Sequence, residues 1–239
     1  MLEKSVNFSK KIRQKKQIKF VIIHYTGMQS EIESIKKLRD FNSNVSCHYL
    51  INRKGKIIQM VKENKIAWHA GKSKWKKFKN LNENSIGIEL VNKGSEFGYQ
   101  NFPNVQVTKL IQLCKKLKKK YKIKDENFLG HSDIAPLRKK DPGEKFPWKK
   151  LSKFKLGVWY KNIENYSDKI KGKAYNKTSF FKNLHKIGYR YFQIYKRKKS
   201  DRLVVRVFQQ RYLPRKVTGS IDKKTHNISN FLANYRKSA

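Results

Sequence analysis

The run Ile18-Lys-Phe-Val-Ile-Ile-His24 decides how the rest of the chain is read. A short continuous apolar stretch ending in a polar residue suits a central strand buried on both faces, with His24 at its end. Working outward, Ser85-Ile-Gly-Ile-Glu-Leu-Val91 is a second strand. Its period of two puts Gly87, Glu89 and Val91 on one face and Ile86, Ile88 and Leu90 on the other, so one carboxylate points where apolar residues should. Asn127-Phe-Leu-Gly-His131 is a third, short strand that again closes on a histidine, ahead of a Pro-, Gly- and charge-rich loop through Trp148. Between these, His48 to Asn52 and Ile57 to Val61 flank Arg53-Lys-Gly55-Lys and read as a hairpin. Ser30 to Asn42 reads as a helix capped by Ser30, with Ile32, Ile35 and Leu38 on one side. Thr108 to Tyr121 has the strongest helical stripe, with lysines between its apolar positions. Strands alternating with helices in this order predict an α/β (α+β) fold in which a central mixed sheet is flanked by helices.

The 239 residues leave room for a second unit. Phe180 to Ile187 and Leu203 to Tyr212 carry helical spacing, and the turn Thr218 to Thr225 leads into a capped helix over Ile228 to Tyr235, a small three-helix domain. The expected organisation is a basic N-terminal arm over 1–17, a catalytic domain over 18–150, a linker or wrapping segment over 151–178 and the helical domain over 179–239.

Hydrophobic residues at 38% and aromatics at 13% exclude a disordered polymer. The 58 Lys and Arg against 17 acidic residues give a net charge of +41, a field that favours anionic partners. The excess is mostly Lys spread along the whole chain, as a lysine-biased proteome produces, and no base-reading motif accompanies it; no specific nucleic acid is expected. Cys47 and Cys114 are too few for a disulfide framework and read as buried thiols, with a single bridge left open. No apolar run reaches the about 20 residues that cross a bilayer. Met1 to Lys19 lacks the apolar core of a signal peptide.

His24 and His131 each end a predicted strand, and neighbouring strands of one sheet would bring such ends to the same edge. Asp141 follows in the loop after His131. Two imidazoles and a carboxylate make a three-ligand zinc site with the fourth position open for water. Their spacing alone is not a compact metal motif.

Five segments, in order, resemble one family: Val21-Ile-Ile-His-Tyr-Thr26, Ser46-Cys-His-Tyr-Leu-Ile51, Ala67-Trp-His-Ala-Gly71, Asn84-Ser-Ile-Gly-Ile-Glu89, and Gly130-His-Ser-Asp-Ile-Ala-Pro136 continued by Arg138-Lys-Lys-Asp-Pro-Gly143. They resemble the zinc N-acetylmuramoyl-L-alanine amidases, the amidase_2 or peptidoglycan recognition protein superfamily, over about residues 18 to 150. An Asp rather than a Cys as third ligand places the chain nearer the AmpD/AmiD branch. Leu184 to Tyr189, Val204 to Arg211 and Thr218 to Asp222 are similar to a three-helix peptidoglycan-binding module, which favours the AmiD type.

The resemblance implies that His24, His131 and Asp141 bind Zn2+, that Glu89 is the catalytic carboxylate, and that Lys139 is a cation beside the scissile carbonyl. It also implies that His48, Trp68 and His69 shape the substrate groove, where an aromatic face can stack and a ring nitrogen can hydrogen-bond. The implied reaction is hydrolysis of the amide between the lactyl group of N-acetylmuramic acid and L-alanine, in peptidoglycan or (anhydro)muropeptides. The alternative is a recognition protein of the same fold that binds peptidoglycan without cutting it. A monomer is expected, in the cell envelope or periplasm, with the cytoplasm as the alternative because no signal peptide is visible.

Overall fold

A computed structural model describes residues 4–161 and 176–235. In chain order the elements are β1 Phe8–Ile12, β2 Phe20–Tyr25, α1 Glu31–Arg39, β3 Tyr49–Ile51, β4 Ile57–Gln59, β5 Lys65–Ala67, β6 Lys74–Trp75, β7 Phe78–Lys79, β8 Ser85–Leu90, α2 Asn104–Tyr121, β9 Phe128–Gly130, α3 His131–Ile134, α4 Trp148–Ser152, α5 Lys177–Ile187, α6 Asp201–Tyr212 and α7 Lys223–Asn234. A five-stranded mixed sheet has the order β4-β3-β8-β2-β9, in which only β4 runs antiparallel to its neighbour. The expected mixed sheet flanked by helices is present.

β2 is the central strand its sequence predicts, with Phe20, Val21, Ile22 and Ile23 all buried. Its alternating residues feed two cores. Val21 and Ile23 join Ile86, Ile88 and Leu90 of β8 under α2, whose Leu110, Cys114 and Leu117 close that face. Phe20 and Ile22, with Leu129, face the other way and pack against Phe180, Leu184, Val204 and Phe208 of the C-terminal helices. The three predicted C-terminal helices are therefore the second layer of the sandwich: without them one face of β2 and β9 would lie open to water.

Three details differ from the sequence reading. The basic arm contains β1, paired antiparallel with β5 (Phe8 opposite Ala67); a lysine-rich edge strand carries little apolar signal. α2 begins at Asn104, four residues early, because Gln106 is buried and its amide donates to Ile51 O and Val91 O. On α1 the expected apolar side reaches only from Ile35 to Leu38, and Ile32 is exposed. Half of the expected linker over 151–178, residues 162–175, lies outside the described residues; before it, Leu151 and Leu156 are buried in the α2 core and Trp159 packs on Tyr212. Cys47 and Cys114 are free, buried thiols. Among the described residues no helix is long and apolar enough to cross a membrane.

Candidate active site

Parallel pairing assembles the site. The register sets His24 opposite Glu89 and Ile23 opposite Gly130, so His131, the next residue, falls beside His24 at the same sheet edge. His131 does not end β9; it opens the helical turn α3. Asp141 returns from the following loop, held by a hydrogen bond from Ser132 N to its carbonyl (2.8 Å). His24, His131 and Asp141 offer ligand atoms within 4.8 Å of one another, and all three residues are buried. They lie in a cleft of about 340 Å³ that Trp68, His69, Glu89 and Lys139 also line.

The hydrogen-bond network assigns the imidazole tautomers. Leu81 O can only accept, so the Ser85 hydroxyl donates to it (2.6 Å) and accepts from His69 Nε2 (3.1 Å). His69 Nδ1 then accepts from His24 Nε2 (3.0 Å), which leaves His24 Nδ1 as a bare lone pair. His131 Nε2 donates to Ala70 O (3.1 Å), so in the neutral ring that can ligate a metal its Nδ1 is bare as well. Both lone pairs point at one carboxylate oxygen, Asp141 Oδ2, at 3.0 and 3.2 Å. Burial and the neighbouring His131 bring His24 down to about 4, so its ring is neutral. Two lone pairs facing an anion repel unless a cation sits between them; the residues fit a divalent metal ion, and each ring nitrogen that turns away is fixed by a partner.

Glu89 sits beside this cluster, and among the described residues no counter-ion is bound to it. Its Oε2 is buried with no hydrogen-bond partner. Burial, then the charge of Asp141, push its carboxyl up to about 8, and Lys139 partly offsets this. A carboxylate on the wrong face of a strand is thus explained by the cleft into which it opens.

Of the remaining expected residues, Trp68, His69 and Lys139 line the cleft. His48 does not. It is wholly buried, its Nδ1 accepts from Gly87 N (3.0 Å), and its Nε2 lies against Lys65 O (3.1 Å) and Arg13 Nη2 (2.7 Å). With both nitrogens occupied it joins β3 to β8 behind His69. Sequence reasoning missed Ser85 and Arg13, which lie in ordinary strand and arm contexts. It also missed why Gly87 is glycine: a Cβ there would fall 2.3 Å from the His69 ring. Gly87→Ala is expected to displace His69, costing about 1–3 kcal/mol of stability and weakening metal binding, as thermal unfolding and metal titration would read.

The N-acetylmuramoyl-L-alanine amidase family matches residues 14–144. Over 231 residues the chain is 35% identical to the N-acetylmuramoyl-L-alanine amidase AmiD of Escherichia coli K12, covering 90% of this chain and 82% of that protein. The chain belongs to the N-acetylmuramoyl-L-alanine amidase family. It is a hydrolase of peptidoglycan turnover that cleaves the amide between the lactyl group of N-acetylmuramic acid and L-alanine. The amidase is also 41% identical over 111 residues to the 1,6-anhydro-N-acetylmuramyl-L-alanine amidase AmpD of Haemophilus influenzae, a match spanning 46% of this chain and 58% of that one. Among solved structures it resembles E. coli AmiD in complex with anhydro-N-acetylmuramic acid-L-Ala-D-γ-Glu-L-Lys, with a TM-score of 0.82 and 34% identity over 92% of this chain and 90% of that one. AmpDh3 of Pseudomonas aeruginosa superposes with a TM-score of 0.85 at 29% identity over 98% of both chains. The C-terminal helices are thus part of the amidase's likeness to both.

Proposed function

We propose that this amidase is zinc-dependent, with His24 Nδ1, His131 Nδ1 and Asp141 as the metal ligands, Glu89 as the general base and Lys139 as the oxyanion-stabilising cation. The observation that carries it is the buried, unpaired Glu89 Oε2 beside two bare imidazole lone pairs and a carboxylate. Two nitrogens and one oxygen suit zinc, whose catalytic sites use three protein ligands and keep one position open. When bound there, zinc would supply an acidified water and polarise the scissile carbonyl.

This chain's residues do the rest. Glu89 takes the proton of the attacking water on an oxygen that has no other bond to give up, and a carboxyl already raised toward neutrality is suited to pass the proton on to the leaving amine. Lys139 places an ammonium over the cleft where negative charge grows on the carbonyl oxygen. Trp68 forms a flat wall for the sugar or peptide face. Lys37, Arg138 and Lys140 line the same cleft and suit the carboxylates of a stem peptide.

The relatives supply the substrate class: E. coli AmiD was solved with an anhydromuropeptide, and the AmpD proteins are named for the 1,6-anhydro sugar. An anhydromuropeptide is accordingly the substrate to test first. The C-terminal unit, similar in sequence to a wall-binding module, supports work at the cell envelope over work on cytoplasmic fragments. A purely binding protein of this fold would have no use for Glu89, so the enzyme reading is preferred. Incubating the protein with anhydro-N-acetylmuramic acid tripeptide should release free tripeptide and anhydro-N-acetylmuramic acid by mass, and a chelator should stop it. No cleavage with zinc added would overturn the reading.

A further inference from the structure

The C-terminal helices do more than cover the sheet. Arg211, on α6, extends into the catalytic layer, where its Nη1 donates to Asp133 Oδ2 and its Nη2 to Phe128 O (3.0 Å). The guanidinium lies 3.8 Å from the centroid of the Trp148 ring. Tyr189, just after α5, donates its hydroxyl to the other oxygen, Asp133 Oδ1 (2.6 Å). All three side chains are buried, Tyr189 and Asp133 at 0% and 2% exposure. Asp133 in turn accepts from Gly130 N on Oδ2 (2.8 Å), which closes the first turn of α3. His131 is the first residue of that turn, and Ser132 N holds the Asp141 carbonyl (2.8 Å). Two of the three candidate metal ligands therefore hang on a four-residue helix whose own cap is gripped from the other end of the chain.

A buried ion pair is a poor source of net stability, because apolar residues of similar volume often do as well. Apolar packing is already abundant at this junction, where Leu129 and Ile134 meet Phe208 and Tyr212. What an ion pair adds is direction: a guanidinium fork fixed on both a carboxylate and a backbone carbonyl sets the position of residues 128–133 to within a hydrogen bond's tolerance. A four-residue helix has no such rigidity of its own, since forming a single turn is unfavourable without outside contacts.

We infer that Arg211 and Tyr189 are positioning residues for the metal centre, acting through Asp133, so that the C-terminal unit completes the zinc site. This rests on the zinc reading above. Two consequences separate it from mere support of the fold. Loss of the grip should weaken zinc binding out of proportion to its effect on the metal-free protein. It should also leave KM for muropeptide unchanged once zinc is saturating, because neither residue lines the cleft.

The experiment is a zinc dissociation constant, by competition with a chromogenic chelator, and metal-free thermal unfolding, on the full chain carrying Tyr189→Phe, Arg211→Lys, Arg211→Met, or Arg211→Met with Asp133→Asn. Arg211→Met is expected to weaken zinc binding by about 10–100-fold, the range for partners that orient a ligand from behind, and Tyr189→Phe and Arg211→Lys by several-fold. The double variant, which buries no lone charge, should unfold near the wild-type temperature when metal-free yet still bind zinc weakly. Zinc affinity within twofold of wild type in Tyr189→Phe and Arg211→Lys, or affinity and unfolding temperature recovering together in the double variant, would overturn the inference while leaving the zinc reading intact. A wild-type chain that does not bind zinc overturns both.

Discussion

Replacing Glu89 with glutamine is expected to lower turnover of a muropeptide by about 10²–10⁴-fold, the range for loss of a positioned general base, with zinc content and fold unchanged. The side chain makes no bond to His24, His131 or Asp141, so the metal has no reason to leave. Glutamine keeps the shape and removes only the ability to take a proton. Glu89→Ala should give the same separation of metal from activity. A second readout follows from the raised carboxyl. In the metal-free protein burial and the charge of Asp141 push the Glu89 carboxyl up to about 8, whereas an unfolded chain releases that proton near about 4.3. Between those values the unfolded state holds fewer protons than the folded one, so stability falls as pH rises. Metal-free Glu89→Gln lacks this loss: it should match wild type at pH 4 and exceed it at pH 8 in thermal unfolding. Equal turnover, or a metal-free variant that tracks wild type across that window, would remove Glu89 from the mechanism.

Much of this site was legible in the sequence because strands announce themselves by period. The apolar run to His24 and the alternation that isolates Glu89 are local facts, and both survive in β2 and β8. The pairing that makes them neighbours is not local. Nothing in either segment states that β2 lies between β8 and β9, and family likeness carried that step. His48 shows the limit of likeness: a histidine in a matching segment is buried against Gly87 N, and only the fold distinguishes a strand tie from a groove wall. The chain from His24 through His69 and Ser85 to Leu81 O was invisible for the same reason, since a serine in a strand has no sequence signal for what its hydroxyl meets. The C-terminal helices were found by their spacing, but not the surface they cover. Amphipathic spacing tells that a helix has an apolar face without telling which surface covers it, and here that surface is the sheet itself.

Asp141→Ala tests the metal centre from the other side and is expected to abolish both zinc binding and activity. The carboxylate is the only anionic member of the trio and the point on which both Nδ1 lone pairs converge. Without it a dication would face two neutral imidazoles, one oxygen ligand short and with no charge to balance its own. The loss should therefore exceed the about 10–100-fold that removing an outer partner costs. Zinc that binds only the folded state raises stability with concentration, so wild type and Glu89→Gln should both gain unfolding temperature as zinc is added, and Asp141→Ala should not. The metal-free Asp141→Ala protein should remain folded, because removing the carboxylate also removes its repulsion from two lone pairs in a buried site. An Asp141→Ala protein that still gains stability with zinc would show that the ion is held elsewhere. Loss of the zinc response in Asp141→Ala together with its retention in Glu89→Gln would assign one carboxylate to holding the metal and the other to moving the proton, although the two groups are close enough to shift each other's charge.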